Sequence, residues 1–168
     1  ISIEKLENNN YKLGVHIADV SYYVRENTEI DKDAYLRGTS VYLADRVIPM
    51  LPHKLSNGIC SLNEGVERLV MACLMKISPL GKLLDYQIVE GVIKSRHRMT
   101  YNNVNKILDN DQEMCEKYAD LVPTLKEMYK LSQIIRKFRD KKGALEFDVK
   151  EYKFDLNPKP LPSLSNEP

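Results

Sequence analysis

The sequence predicts an α+β fold, with strands in the first part of the chain and helices in the second. Three observations carry this. Two long apolar runs, Arg68–Ile77 and Leu83–Ser95, flank the turn signal Ser78-Pro79-Leu80-Gly81 and read as an antiparallel pair. From Thr100 onward the apolar residues shift to helical spacing, with Tyr101, Val104, Ile107 and Leu108 on one face. Strands and helices are segregated along the chain rather than alternating, which disfavours a βαβ architecture.

In chain order, Tyr11–Val20 has an apolar centre and follows the turn-rich Glu7-Asn8-Asn9-Asn10, so it predicts a strand in a hairpin with Ile1–Leu6. Thr28–Gly38 predicts a short helix, with Asp31 and Asp33 near its positive end and Gly38 at its C-cap. Gly38–Tyr42 predicts a loop. In Val47-Ile48-Pro49-Met50-Leu51-Pro52, two prolines flank apolar residues and predict a stiff loop. Leu55–Leu62 predicts a compact turn. Leu121–Lys141 repeats the helical period through Leu121, Leu125, Met128, Leu131 and Ile135, ends at Gly143, and leads to a short strand through Phe147. Residues 157–168, which hold Pro158, Pro160 and Pro162, predict an irregular tail.

The 168 residues suit one ordinary domain with its own core. A hydrophobic fraction of 43% and a charged fraction of 29% are globular values. No apolar run is long enough to span a membrane. The net charge of +1 gives no bulk attraction for nucleic acid, so an RNA surface has to come from local patterning. Cys60, Cys73 and Cys115 are odd in number and lack CxxC spacing, which predicts reduced thiols and a cytoplasmic protein. The opening Ile1-Ser2-Ile3-Glu4-Lys5 reads as a cut within a longer sequence.

Three features invite chemistry, and each also has a plain structural reading. Tyr42 stands beside small polar residues just before the stiff loop. It either stacks on a nucleobase, worth about 1–3 kcal/mol per base, or packs on the core with its hydroxyl at the surface. The basic run Arg136-Lys137-Phe138-Arg139-Asp140-Lys141-Lys142 either contacts phosphates or is a solvated helix end whose cations face the negative pole of the dipole. His16, His53 and His97 show no zinc or nucleophile spacing, and His16 reads as a core histidine with its hydrogen bonds satisfied. Asp19, Asp31, Asp33 and Asp45 are scattered, unlike the carboxylates of a two-metal centre. From these residues alone no catalytic residue and no metal ligand is assigned.

The run Leu13-Gly14-Val15-His16-Ile17-Ala18-Asp19-Val20-Ser21-Tyr22-Tyr23-Val24 resembles the catalytic domain of the ribonuclease II/ribonuclease R family. So, in the same order, do Arg37-Gly38-Thr39-Ser40-Val41-Tyr42, Val47–Pro52, Leu55–Asn63, Ser95–Tyr101 and Gly143–Phe147. The spelling Gly-Thr-Ser-Val-Tyr is closer to the ribonuclease R branch. The resemblance implies a partial catalytic domain over residues 1–168, truncated at both ends, with a mixed or antiparallel sheet and a helical C-terminal segment. It implies a 3′→5′ exoribonuclease parent that binds the 3′ end of single-stranded RNA, hydrolyses it to nucleoside 5′-monophosphates and uses Mg2+. The aspartates that hold magnesium in the family would precede Ile1, so this chain alone is expected to be inactive and to hold no specific ion. Tyr42 and Phe147 match the family's base-stacking aromatics. A non-catalytic RNA-binding module of the same fold is the alternative, and exposed core surface is expected to let the fragment self-associate.

Overall fold

The structure, a computed structural model, describes residues 1–43 and 45–145. Its centre is a four-stranded antiparallel sheet of β1 (Ser2–Lys5), β2 (Tyr11–Ala18), β5 (Glu67–Ile77) and β6 (Leu83–Lys94), in that spatial order. The hairpin expected at the start of the chain is β1–β2, with Ser2 opposite Gly14 and Lys5 opposite Tyr11. The two long runs are β5 and β6, joined by a turn in which Gly81 takes φ +83°. Glycine is needed there twice over, because a Cβ would also meet the carbonyl oxygen of Ile134 at 2.9 Å.

Between β2 and β5 run α1 (Val20–Tyr23), α2 (Glu29–Arg37) and a two-stranded ribbon of β3 (Val41–Tyr42) and β4 (Val47–Ile48). Thr28 caps α2 by accepting from the Asp31 amide, and Gly38 closes it at φ +69°, where the sequence signals predict the C-cap. The ribbon corrects the two loops expected at 38–42 and 47–52. The β-branched Val41, Val47 and Ile48 pair across a tight reversal, and the prolines fall just outside the paired residues. Residues Lys54–Ile59 form a single wide π-helical turn where a compact turn is expected.

The helices after β6 are α3 (Tyr101–Leu108), α4 (Gln112–Lys117) and α5 (Val122–Lys141). Thr100 caps α3 and Asp111 caps α4 through side-chain oxygens. In α3, Ile107 is fully buried, whereas Tyr101 is 92% exposed, which corrects its expected place on the buried face. It is the first residue of the helix. Leu131 of α5 packs against Tyr11 and Ile77, with Ile134 and Ile135 beside them, and this cluster is the core of the sheet–helix contact. Side chains directly opposite in an antiparallel register share a face. On that rule the face holding Tyr11 and Ile77 continues through Ile17, Met71, Ile88 and Val92, all of which are exposed. Phe147, the short strand expected through it, and the tail at 157–168 lie outside the described residues.

Candidate nucleic-acid interface

Tyr42 is held by the ribbon. It sits opposite Val47, and the Leu43 amide donates to the Arg46 carbonyl at 2.8 Å to close the reversal. On the other side, the Met50 amide donates to Ser40 Oγ at 2.9 Å and ties the stiff loop to the residues before β3. The backbone is therefore fixed at both strands while the side chain is 78% exposed. Among the described residues the ring is not packed on the core, and a fixed backbone carrying an exposed ring can take a stacked base. Of the two aromatic residues matched to base stacking, only Tyr42 falls among the described residues.

The segment matching Leu55–Asn63 is fastened to β5 by one arginine. Arg68 donates from Nε to the Ser61 carbonyl at 3.0 Å and from Nη2 to the Gly58 carbonyl at 3.3 Å. Asp19 is buried at the end of β2. It caps α1, accepting from the Tyr22 amide at 3.1 Å and the Ser21 hydroxyl at 2.6 Å. Burial, and then the nearby Asp19 carboxylate, push the Cys60 thiol above its ordinary range, and Arg68 opposes them. A thiol so shifted is a poor nucleophile, and the three cysteines are free.

The carboxylates singled out in the sequence each have partners of their own. Asp31 accepts from the Asn27 amide, and Asp33 and Asp45 pair with Arg37 and Arg46. Among the described residues, no three acids, histidines or cysteines gather closely enough to hold a metal ion. These residues therefore do not fit a magnesium centre.

His16 departs from the expected satisfied core histidine. The ring is half-buried and hydrogen-bonds Ser2 Oγ through Nε2 at 3.1 Å, but Nδ1 is shielded from solvent with no partner. The sequence offered no hint of this, because it depends on which residue β1 brings alongside. His97 joins three parts of the chain. Its Nε2 lies 3.1 Å from Asp120 and its Nδ1 3.7 Å from Glu64, while the ring packs edge-on against Tyr118 at 5.6 Å. His16 and His97 both line a cleft of about 570 Å3 between the β6–α3 connection and the start of α5. Lys94 and Arg96 line it as well. Sequence reasoning passed over both, although cations alternating at 94, 96 and 98 were a readable signal.

The RNB domain pattern matches residues 1–167. Ribonuclease R 1 of Lactococcus lactis is 51% identical over 162 residues, which cover 96% of this chain and 20% of that protein. The structure described as Mycoplasma genitalium RNase R in complex with ribose methylated single-stranded RNA superposes with a TM-score of 0.84 at 32% identity, covering 94% of this chain and 24% of that one. The same organism's RNase R in complex with double-stranded RNA superposes with a TM-score of 0.81 at 34% identity, over 90% of this chain and 26% of that one. The chain thus spans about a fifth to a quarter of the length of these relatives. No helix of the described residues is long and apolar enough to cross a membrane.

Proposed function

The chain belongs to the RNB domain family, and from that premise we propose that it is part of a 3′→5′ exoribonuclease that hydrolyses RNA to nucleoside 5′-monophosphates. The observation that carries this reading, beside the membership itself, is Tyr42, whose exposed ring rides on a ribbon fixed at both strands. Stacking accepts any base, because every base has a π-face, and an enzyme that moves along RNA of any sequence needs that tolerance. Phe147 is proposed as the second stacking aromatic. The RNase R structure with ribose methylated single-stranded RNA shares this fold, which supports single-stranded RNA as the parent's partner.

The contribution of this chain is binding and positioning. Magnesium is proposed as the metal of the whole enzyme, with its ligands outside the described residues, and no step of the reaction is assigned to the residues here. We therefore propose that the 168-residue chain alone does not hydrolyse RNA. A cytoplasmic location of the parent belongs to the same proposal, in keeping with its free thiols.

The test compares the chain with the whole enzyme on 5′-end-labelled single-stranded RNA and magnesium. The whole enzyme should shorten the RNA progressively from its 3′ end and release nucleoside 5′-monophosphates, while the chain leaves it intact. Chelator-sensitive shortening by the chain would overturn its proposed inactivity. A whole protein that binds RNA and never shortens it would instead be a non-catalytic RNA-binding module.

A further inference from the structure

Part of one sheet face is bare among the described residues. Ile17 stands opposite Met71, Cys73 opposite Ile88 and Leu69 opposite Val92, so these side chains share a face. Ile17 is 65% exposed, Ile88 63% and Val92 60%, and Met71 is exposed as well. The strip crosses β2, β5 and β6, which at a strand spacing of about 4.8 Å makes it about 10 Å wide. One α-helix is about as wide. From Tyr86 to Val92 the strip runs about 20 Å, the length of about 13 helical residues. Glu90 stands inside it, opposite Met71 and between Ile88 and Val92 on the same face. Its side chain is exposed and makes no hydrogen bond or ion pair with another described residue. An apolar cover over this strip has to bring a cation with it, because a carboxylate buried without a partner is costly.

We propose that the strip seats an amphipathic helix from the rest of the parent polypeptide, with an apolar stripe over Ile17, Met71, Ile88 and Val92 and a lysine or arginine at Glu90. A contiguous apolar strip of this kind marks an interaction surface. The chain covers about a fifth to a quarter of its relatives' length, which leaves ample chain to supply the helix. A helix suits the strip better than a further sheet, because three strands are one helix wide. The contact lies on the sheet, apart from the β3–β4 ribbon that carries Tyr42, and does not depend on the exoribonuclease reading.

The experiment is maleimide labelling of Cys73, which lies on this face opposite Val15 and Ile88, read on its own peptide. The 168-residue chain and the whole enzyme are compared without RNA, at concentrations where sedimentation shows monomers. The thiol should react at least about a hundredfold more slowly in the whole enzyme than in the chain. Ile88→Lys and Glu90→Lys should each lower the melting temperature of the whole enzyme and leave that of the chain in place, because both side chains are exposed in the chain. Equal labelling rates, or whole-enzyme melts that do not move, overturn the proposal. A thiol already protected in the monomeric chain assigns the strip to the chain's own residues and overturns it as well. So does protection that appears only when the whole enzyme dimerises or binds RNA, which assigns the strip to a second copy or to nucleic acid. Shortening of RNA by the whole enzyme is measured separately, so a failure here leaves the exoribonuclease reading standing.

Discussion

Arg68 Nε donates to the Ser61 carbonyl at 3.0 Å, and the same guanidinium reaches the Gly58 carbonyl at 3.3 Å, so one side chain fastens the wide turn at Lys54–Ile59 to the sheet. The planar fork makes both bonds at once, which an ammonium on a flexible stem does less well. Arg68→Ala should lower folding stability by about 1.5–3 kcal/mol, the usual worth of hydrogen bonds to a charged group. Arg68→Lys should recover only part of that. Chemical denaturation reads both variants; a lysine variant as stable as the parent would show that charge, and not the fork, holds the turn.

His16 should make stability depend on pH. Burial, and then the positive N-terminal amine, hold it below its ordinary value of 6.5. The folded chain therefore takes up this proton less readily than the unfolded chain. Stability is unaffected by this group above the ordinary value, and falls as pH drops through it toward the lower folded value. Thermal melts from about pH 8 to about pH 5 should show the loss, and His16→Gln should flatten that part of the curve. Parallel curves for the parent and the variant would contradict it.

Among the described residues the β6 strand is an open edge twelve residues long, with Tyr86, Ile88 and Val92 exposed on one face. An unprotected apolar edge invites pairing with another chain. Sedimentation at rising concentration should show self-association, and Ile88→Lys with Val92→Lys should suppress it without loss of fold. A monomer at every concentration would remove the edge as a contact surface.

The long elements were legible because their signals are repeated many times over. The pair β5–β6 carries β-branched and apolar residues over its whole length around a Pro/Gly turn, and α5 repeats its apolar spacing through Leu125, Met128, Leu131 and Ile135. The C-cap at Gly38 was equally plain, being local chemistry. The β3–β4 ribbon was read as loop because two-residue strands carry no period, only a register that the folded chain supplies. Tyr42 became a candidate through the family motif around it; its exposure needed the structure. The cleft joins residues from β1, β2, the β6–α3 connection and α5, far apart in sequence, so no local pattern outlined it.

The most direct test of the RNA-stacking account is product length in the whole enzyme carrying Tyr42→Ala, measured on end-labelled single-stranded RNA beside the thermal melt. Tyr42 is exposed, so its removal should leave the melting temperature near that of the parent. Loss of the ring should weaken binding of short RNA by about 1–3 kcal/mol and change the length at which degradation stops, while Tyr42→Phe, which keeps the ring, should behave like the parent. A Tyr42→Ala enzyme with a lowered melting temperature and an unchanged product length would contradict the account and return Tyr42 to a packing role.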